Sequence, residues 1–195
     1  MGLILEKANI YELMKETGSI LEGHFELSSG VHTNTYFQCA KLMQYSSIAE
    51  TIGKELSNKF EKDQFDTILS PAVGGIIIGY LIAKNLNKKS IFVERKEGIL
   101  QLRRGFEIEK GERIVIIEDV ITTAKSALET ADIATNFGAM IKGYGCIVDR
   151  SNDSTGLKIN SLFQKSPVIY QPEDCPLCKK GIPIQKPGSK AKVVK

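Results

Sequence analysis

The chain has 195 residues, 42% of them hydrophobic and 25% charged, with a net charge of only +3. This balance fits one globular domain, 1–195, with a sizeable core, and it excludes a disordered, fibrous or strongly basic nucleic-acid-binding chain. No apolar run reaches the roughly 18 residues of a membrane span, and residues 1–7 lack the basic and apolar regions of a signal peptide, so the cytoplasm is the expected compartment, with no membrane or nucleic-acid partner.

In chain order, the apolar spacing predicts a helix over 3–16, closed by Gly18. Two short strands follow, over 25–27 and 35–39, around Ser28-Ser29-Gly30. Ser47 and Glu50 have the spacing of a capping box for a helix whose face is Ile48, Ile52, Leu56 and Phe60. A strand over 66–70 runs into Pro71-Ala72-Val73-Gly74-Gly75 and a helix over 75–85. A strand over 90–94 leads into a charged loop, Glu94-Arg95-Lys96-Glu97-Gly98, that continues to Leu102-Arg103-Arg104-Gly105. The β-branched run Ile114-Val115-Ile116-Ile117 reads as a buried parallel strand. A helix over 126–137, a strand over 144–148 and the dipeptide Asp149-Arg150 complete a repeating β/α order. It predicts a doubly wound, mostly parallel α/β sheet. Residues 152–156 form a polar break. The segment 171–195 holds four of the six prolines and is expected to run as an extended or irregular surface tail.

The densest chemical signal is Glu118-Asp119-Val120-Ile121-Thr122-Thr123-Ala124-Lys125-Ser126, which joins the 114–117 strand to the following helix. Adjacent carboxylates at a strand's carboxyl end suit ribose hydroxyls or a Mg²⁺ ion. A hydroxyl-rich turn at a helix N-terminus suits a phosphate, which backbone N–H groups and the helix dipole stabilise. Both halves face one gap of sugar-phosphate size. Ala72-Val73-Gly74-Gly75, one β/α unit earlier, offers a second anion cradle. An arginine at a strand end, as at Arg150, can clamp a carboxylate or ring carbonyls bidentately.

The stretch from Ile114 to Ser126 resembles the PRPP-binding motif of the type I phosphoribosyltransferases. The segment Gly23-His24-Phe25-Glu26-Leu27-Ser28-Ser29-Gly30-Val31-His32 and the tail around Cys175-Pro176-Leu177-Cys178 extend the resemblance to the orotate phosphoribosyltransferases, over nearly the whole chain. The resemblance implies the type I fold with a small hood, built from both termini, over the base site. It implies PRPP and orotate as substrates, Mg²⁺ as cofactor, held mainly by PRPP rather than by protein ligands, and a homodimer whose lid residues are shared between subunits. Carried over by position, Glu118, Asp119 and Lys96 become catalytic. Arg95, Lys96 and the run Glu118, Asp119, Val120, Ile121, Thr122, Thr123, Ala124, Lys125 and Ser126 become PRPP-binding. Thr122 and Arg150 become orotate-binding, and Ala72, Val73, Gly74 and Gly75 become the pyrophosphate loop.

Three positions depart from the family pattern. Ala124-Lys125 stands where glycine is usual, and since alanine disfavours a left-handed backbone the turn amides can still donate to a phosphate if those positions keep negative φ. The charged loop is shorter than in the enteric branch and lacks its later Lys and His. Ser28 occupies the place of an enteric Lys. Two other readings stay open: a purine or uracil phosphoribosyltransferase, and a PRPP-sensing regulator without catalysis, which Ala124-Lys125 alone favours.

The four cysteines do not suggest a disulfide framework in a chain of this length. Cys39 and Cys146 fall in strand-like contexts and read as buried small hydrophobes. Cys175 and Cys178 have the spacing of half a zinc site, but His24 and His32 lie far upstream, so an unpaired tail feature is expected.

Overall fold

The computed structural model describes residues 10–27, 30–151, 155–166 and 168–187. Most of the expected first helix before Ile10, together with Ser28-Ser29, 152–154 and the end of the tail, lies outside these described residues. The chain opens with α1 (Ile10–Glu16), β1 (Ile20–Glu26), β2 (His32–Phe37), α2 (Cys39–Met43) and α3 (Ser46–Ser57). It continues through β3 (Thr67–Pro71), α4 (Gly74–Leu86), β4 (Lys89–Lys96), β5 (Ile99–Leu102), β6 (Arg113–Ile121), α5 (Lys125–Asn136) and β7 (Met140–Asp149). β8 (Ile159–Gln164), β9 (Ile169–Tyr170) and α6 (Pro176–Lys179) close it.

The main sheet has the strand order β5-β4-β3-β6-β7-β8, parallel throughout except for the edge strand β5. Side chains alternate across a strand, so each strand feeds two cores. Ile68, Val115, Ile117 and Ile147 pack toward one face with Ile52 and Leu56 of α3 and Ile78 and Ile82 of α4. Their neighbours Leu69, Ile114, Ile116 and Cys146 point the other way, onto Ala127, Ala131 and Ala134 of α5. Burying each of these large aliphatic side chains contributes roughly 1.5–3 kcal/mol. The small alanine face of α5 lets that helix lie close to the sheet. This is the expected doubly wound α/β architecture, with β5 and β8 as additions that the sequence pattern did not reveal.

β1 and β2 pair antiparallel, and β9 adds to the far side of β2, giving a separate three-stranded sheet. Gln185 bridges to Phe25 in parallel, with Glu26 N–H donating to the Gln185 carbonyl at 2.9 Å and Gln185 N–H donating to the His24 carbonyl at 2.8 Å. The tail is therefore not a plain extended run. It forms a short 3₁₀ turn and α6 and then pairs with β1, so residues 20–37 and 169–185 together build one hood.

Local expectations fail at two points, and a third segment takes a definite form. The Ser47–Glu50 capping box does not form: α3 starts at Ser46, Tyr45 is its cap without a side-chain bond, and Glu50 instead pairs with Lys84 of α4. Cys39 opens the short helix α2 rather than ending a strand. The charged loop after β4 is a β-hairpin whose two turn residues, Glu97 and Gly98, have φ of 52° and 84°, a positive-φ pair that matches the right-handed twist of the flanking strands.

Candidate active site

After β3 the chain moves outward to β4 and then returns across β3 to β6, so strand order reverses between β3 and β6. The crevice beyond the carboxyl ends of these two strands is where open α/β sheets bind ligands. Both anion-cradle segments lie here. Pro71 ends β3 and Gly74 starts α4, while Glu118-Asp119-Val120-Ile121 forms the end of β6 and Lys125 starts α5.

The two loops touch. A Cβ added to Gly74 would sit 2.5 Å from the Asp119 carboxylate, and one on Gly75 would sit 2.7 Å from the Ile117 carbonyl oxygen. Only glycine allows the start of α4 to lie this close to the acid pair. The Ala72–Val73 peptide bond is cis, and Val73 itself is exposed.

Glu118 and Asp119 are half-buried at the strand end. Among the described residues no ion pair reaches either carboxylate. Desolvation, and after it the neighbouring charge of Asp119, lift the Glu118 pKa to about 8, opposed in part by a hydrogen bond from the Ser126 side chain. Burial also raises Asp119, although its Oδ1 accepts the Val120 N–H at 2.9 Å. Two adjacent carboxylates held above their ordinary range without a compensating cation form a site prepared for hydroxyl donors or a metal-bearing ligand.

The turn that follows does not meet the negative-φ condition at one residue. Ala124, the N-cap of α5, has φ 57° and ψ 11° and so adopts the left-handed conformation expected only of glycine. The loop thus follows the glycine-type backbone at a cost of about 1–2 kcal/mol for the alanine Cβ. The first intrahelical bond runs from Leu128 N–H to the Ala124 carbonyl at 2.8 Å, leaving the amides of the first turn facing outward for an anion. Lys125 is largely exposed, with its Nζ 4.0 Å from Glu129.

Arg150 follows β7, and its N–H donates to the Ile121 carbonyl at the end of β6 at 2.8 Å. It is not a surface ion pair with Asp149, whose Oδ1 accepts the Ser151 N–H at 2.8 Å. Arg150 is 4% exposed, its guanidinium carbon lies 5.2 Å from the centre of the Phe37 ring, and its Nε finds no hydrogen-bond partner among the described residues. Burial lowers its pKa. Tyr36, beside Phe37 on β2, carries a phenol raised by burial and then by Asp119 and Cys39, with Arg150 opposing. Tyr36 and Phe37 thus bring the hood to the acid pair. The sequence reading placed both only within a strand, and nothing in their spacing marked them.

The charged residues of the β4–β5 hairpin are engaged with one another and with α5. Arg95 donates to the Gly98 carbonyl at 2.6 Å and pairs with Glu129 of α5. Arg103 and Arg104 both bind Glu94, at 3.0 and 2.8 Å, and Lys96 is exposed near the hairpin tip. In this arrangement the hairpin lies against α5. Of its basic residues, Arg103 and Arg104 serve to neutralise Glu94.

A second concavity, of about 400 Å³, lies at the opposite, amino ends of the strands, lined by Thr67, Lys89 and Glu112 among others. There Glu112 is bound by Lys89, Thr67 and the Glu109 amide, which accounts for its carboxylate without a ligand.

No family model matches the chain. It is 45% identical over 182 residues to an orotate phosphoribosyltransferase of Chlorobium phaeobacteroides, covering 92% of this chain and 94% of that protein. It is 42% identical over 183 residues to the Thermotoga maritima orotate phosphoribosyltransferase, covering 93% and 98%. Among solved structures, the orotate phosphoribosyltransferase of Aeropyrum pernix superposes with a TM-score of 0.69 at 22% identity, covering 80% of this chain and 93% of that one. The adenine phosphoribosyltransferase of Thermoanaerobacter pseudethanolicus superposes with a TM-score of 0.58 at 17% identity, covering 67% and 88%, so the two structural likenesses establish the shared fold while the close, full-length relatives decide the family: the chain belongs to the orotate phosphoribosyltransferases.

Proposed function

We propose that this crevice transfers the ribose 5-phosphate group of PRPP to orotate, giving orotidine 5′-monophosphate and pyrophosphate. The observation that carries the choice of acceptor is Arg150, a buried cation with an unpartnered Nε beside Tyr36 and the end of β6. A carboxylate-bearing base compensates that charge, and a neutral purine or uracil does not. Membership of the family points the same way.

Displacing pyrophosphate from ribose C1 develops positive charge on the sugar and negative charge on the leaving group. Glu118 and Asp119 hold the ribose hydroxyls and stabilise the cationic sugar. The amides of Thr122 to Ser126 and the N-terminus of α5 anchor the 5′-phosphate, with Val120 and Ile121 between these two functions. The Ala72, Val73, Gly74 and Gly75 turn receives the pyrophosphate, and Arg95 and Lys96 on the hairpin close over it. Thr122 and Arg150 orient orotate, whose own ring anion is the nucleophile. The uncompensated Glu118–Asp119 pair fits a Mg²⁺ ion held mainly by PRPP, which when bound supplies positive charge to the leaving pyrophosphate.

An exposed apolar row on α4, Ile77 and Tyr80 following Val73, supports a homodimer in which lid residues serve the partner's site. Among the described residues no helix is long and apolar enough to cross a membrane, in keeping with a cytoplasmic enzyme. Ala124 adopts the glycine-type backbone, which removes the feature favouring a regulator without catalysis. The test is PRPP-dependent loss of orotate, with hypoxanthine, adenine and uracil as control acceptors. Turnover of a control base in place of orotate refutes the acceptor, and PRPP binding without any turnover refutes the enzyme.

A further inference from the structure

Away from the crevice, the hood brings together four side chains that lie far apart in the sequence. His24 of β1, His32 at the start of β2, and Cys175 and Cys178 around α6 offer donor atoms that all lie within 4.8 Å of one another. His24 Nε2 is 3.0 Å from His32 Nδ1, 3.5 Å from Cys175 Sγ and 3.7 Å from Cys178 Sγ, and Cys178 Sγ is 3.4 Å from His32 Nδ1. The expectation that the cysteine pair stands alone is thereby overturned. The 151 and 146 residues separating Cys175 from His24 and Cys178 from His32 are closed by the pairing of β9 with β2 and of Gln185 with Phe25.

We propose that His24, His32, Cys175 and Cys178 bind a structural zinc ion that fastens the carboxyl-terminal segment to the hood. Zinc–nitrogen bonds of about 2.0–2.1 Å and zinc–sulfur bonds of about 2.3 Å in a tetrahedron place ligand atoms roughly 3.3–3.8 Å apart. The four separations above, 3.0 to 3.7 Å, are near those edges, and the remaining pairs lie within 4.8 Å. Two thiols and two imidazoles without a carboxylate form a borderline-soft set that suits zinc rather than magnesium or calcium.

The surrounding bonds orient the ligands. His24 Nδ1 lies 2.8 Å from the Ile182 carbonyl. That oxygen can only accept, so the ring carries its proton on Nδ1 and turns the Nε2 lone pair toward the two sulfurs. A metal-bound histidine is usually fixed in this way. His24, His32 and Cys175 are 1%, 7% and 0% exposed, and Cys178 alone reaches the surface. Four protein donors leave no open position, which marks a structural rather than a catalytic centre. The role follows from topology: two ligands belong to β1 and β2, and two to the tail that pairs with them.

The test uses the full chain, purified under reducing conditions without a metal-binding tag. Elemental analysis should find one zinc per chain, and replacing it with Co²⁺ should give the visible absorption of a tetrahedral site together with thiolate-to-metal charge-transfer bands. Cys178→Ser and His32→Ala should each lower bound zinc by about tenfold or more, whereas Cys146→Ala should retain it. Removing the metal with a strong chelator should speed proteolysis of the tail and lower the melting temperature, and added zinc should restore both. A folded wild-type chain that stays substoichiometric after incubation with zinc and shows no cobalt bands overturns the proposal, and needs no variant to fold. A Cys175–Cys178 disulfide in the reduced preparation, or full zinc retention by Cys178→Ser, overturns it equally.

Discussion

The crevice and the hood are built in opposite ways. The acid pair, the hydroxyl-rich turn and the helix N-terminus all come from one strand-turn-helix, within 118–126, and a local backbone path suffices to align them. The hood gathers Phe25, His24, His32, Tyr36, Cys175, Cys178 and Gln185 from both ends of the chain, and only strand pairing unites them. The crevice is held against its own electrostatics, with two carboxylates kept above their ordinary pKa. In the hood, by contrast, burial and mutual bonding stabilise the same groups that carry its chemistry. Substitutions in the first region should therefore separate activity from stability, and substitutions in the second should lower stability.

The largest expected effect is in the hood. Phe25 of β1 is 2% exposed and bridges to Gln185 of the tail, and Phe25→Ala should cost about 3–5 kcal/mol. Denaturant unfolding measures the loss, and limited proteolysis should find the tail released first. Unchanged stability would mean that the hood is not cooperative with the main sheet.

Asp119→Asn should do the reverse. On the proposed mechanism, losing this preorganised charge beside the sugar should raise the kcat barrier by about 2–4 kcal/mol. The melting temperature should stay level or rise, because the folded state holds this carboxyl above its ordinary pKa. Wild-type turnover in a folded variant would remove the acid pair from the mechanism.

Arg150→Ala tests the meeting point of the two regions, since its guanidinium lies over Phe37 of the hood. Calorimetry should find orotate binding weakened by roughly 1.5–3 kcal/mol and PRPP binding nearly unchanged. A loss confined to PRPP would make Arg150 a phosphate ligand.

The pH dependence has a definite sign. Glu118 is raised from 4.5 to about 8 in the folded chain. Its protonated form therefore favours folding at low pH, and that contribution disappears as pH rises from about 4.5 through about 8. In melting scans, Glu118→Gln should gain on the wild type across that window. In kinetics, kcat/KM for PRPP should rise with a limb near 8 that the Gln variant lacks. A limb that survives in Glu118→Gln belongs to another group.

The smallest effect is at Ala124. Its positive φ carries a strain of about 1–2 kcal/mol, partly offset by the greater backbone entropy that glycine loses on folding. Ala124→Gly should thus stabilise the chain by about 1 kcal/mol or less and keep PRPP affinity. A clear loss of PRPP binding in this variant would show that the alanine methyl itself supports the loop.

The sequence alone determined the alternation of strands and helices, the turns that follow β3 and β6, and the acid pair at the end of β6. Each depends on residues a few positions apart, where the period of two in β6 or the helical spacing in α5 encodes geometry directly. The local rules failed where a distant partner competed. Glu50 left its capping box for Lys84 of α4. Only the tertiary structure decided that Tyr36 faces Asp119 and Arg150, that the tail pairs with β1, and that two histidines meet two cysteines. Nothing in a one-dimensional pattern carries the register of strands separated by most of the chain; that register follows from which surfaces can be buried together and which backbone groups remain to be paired.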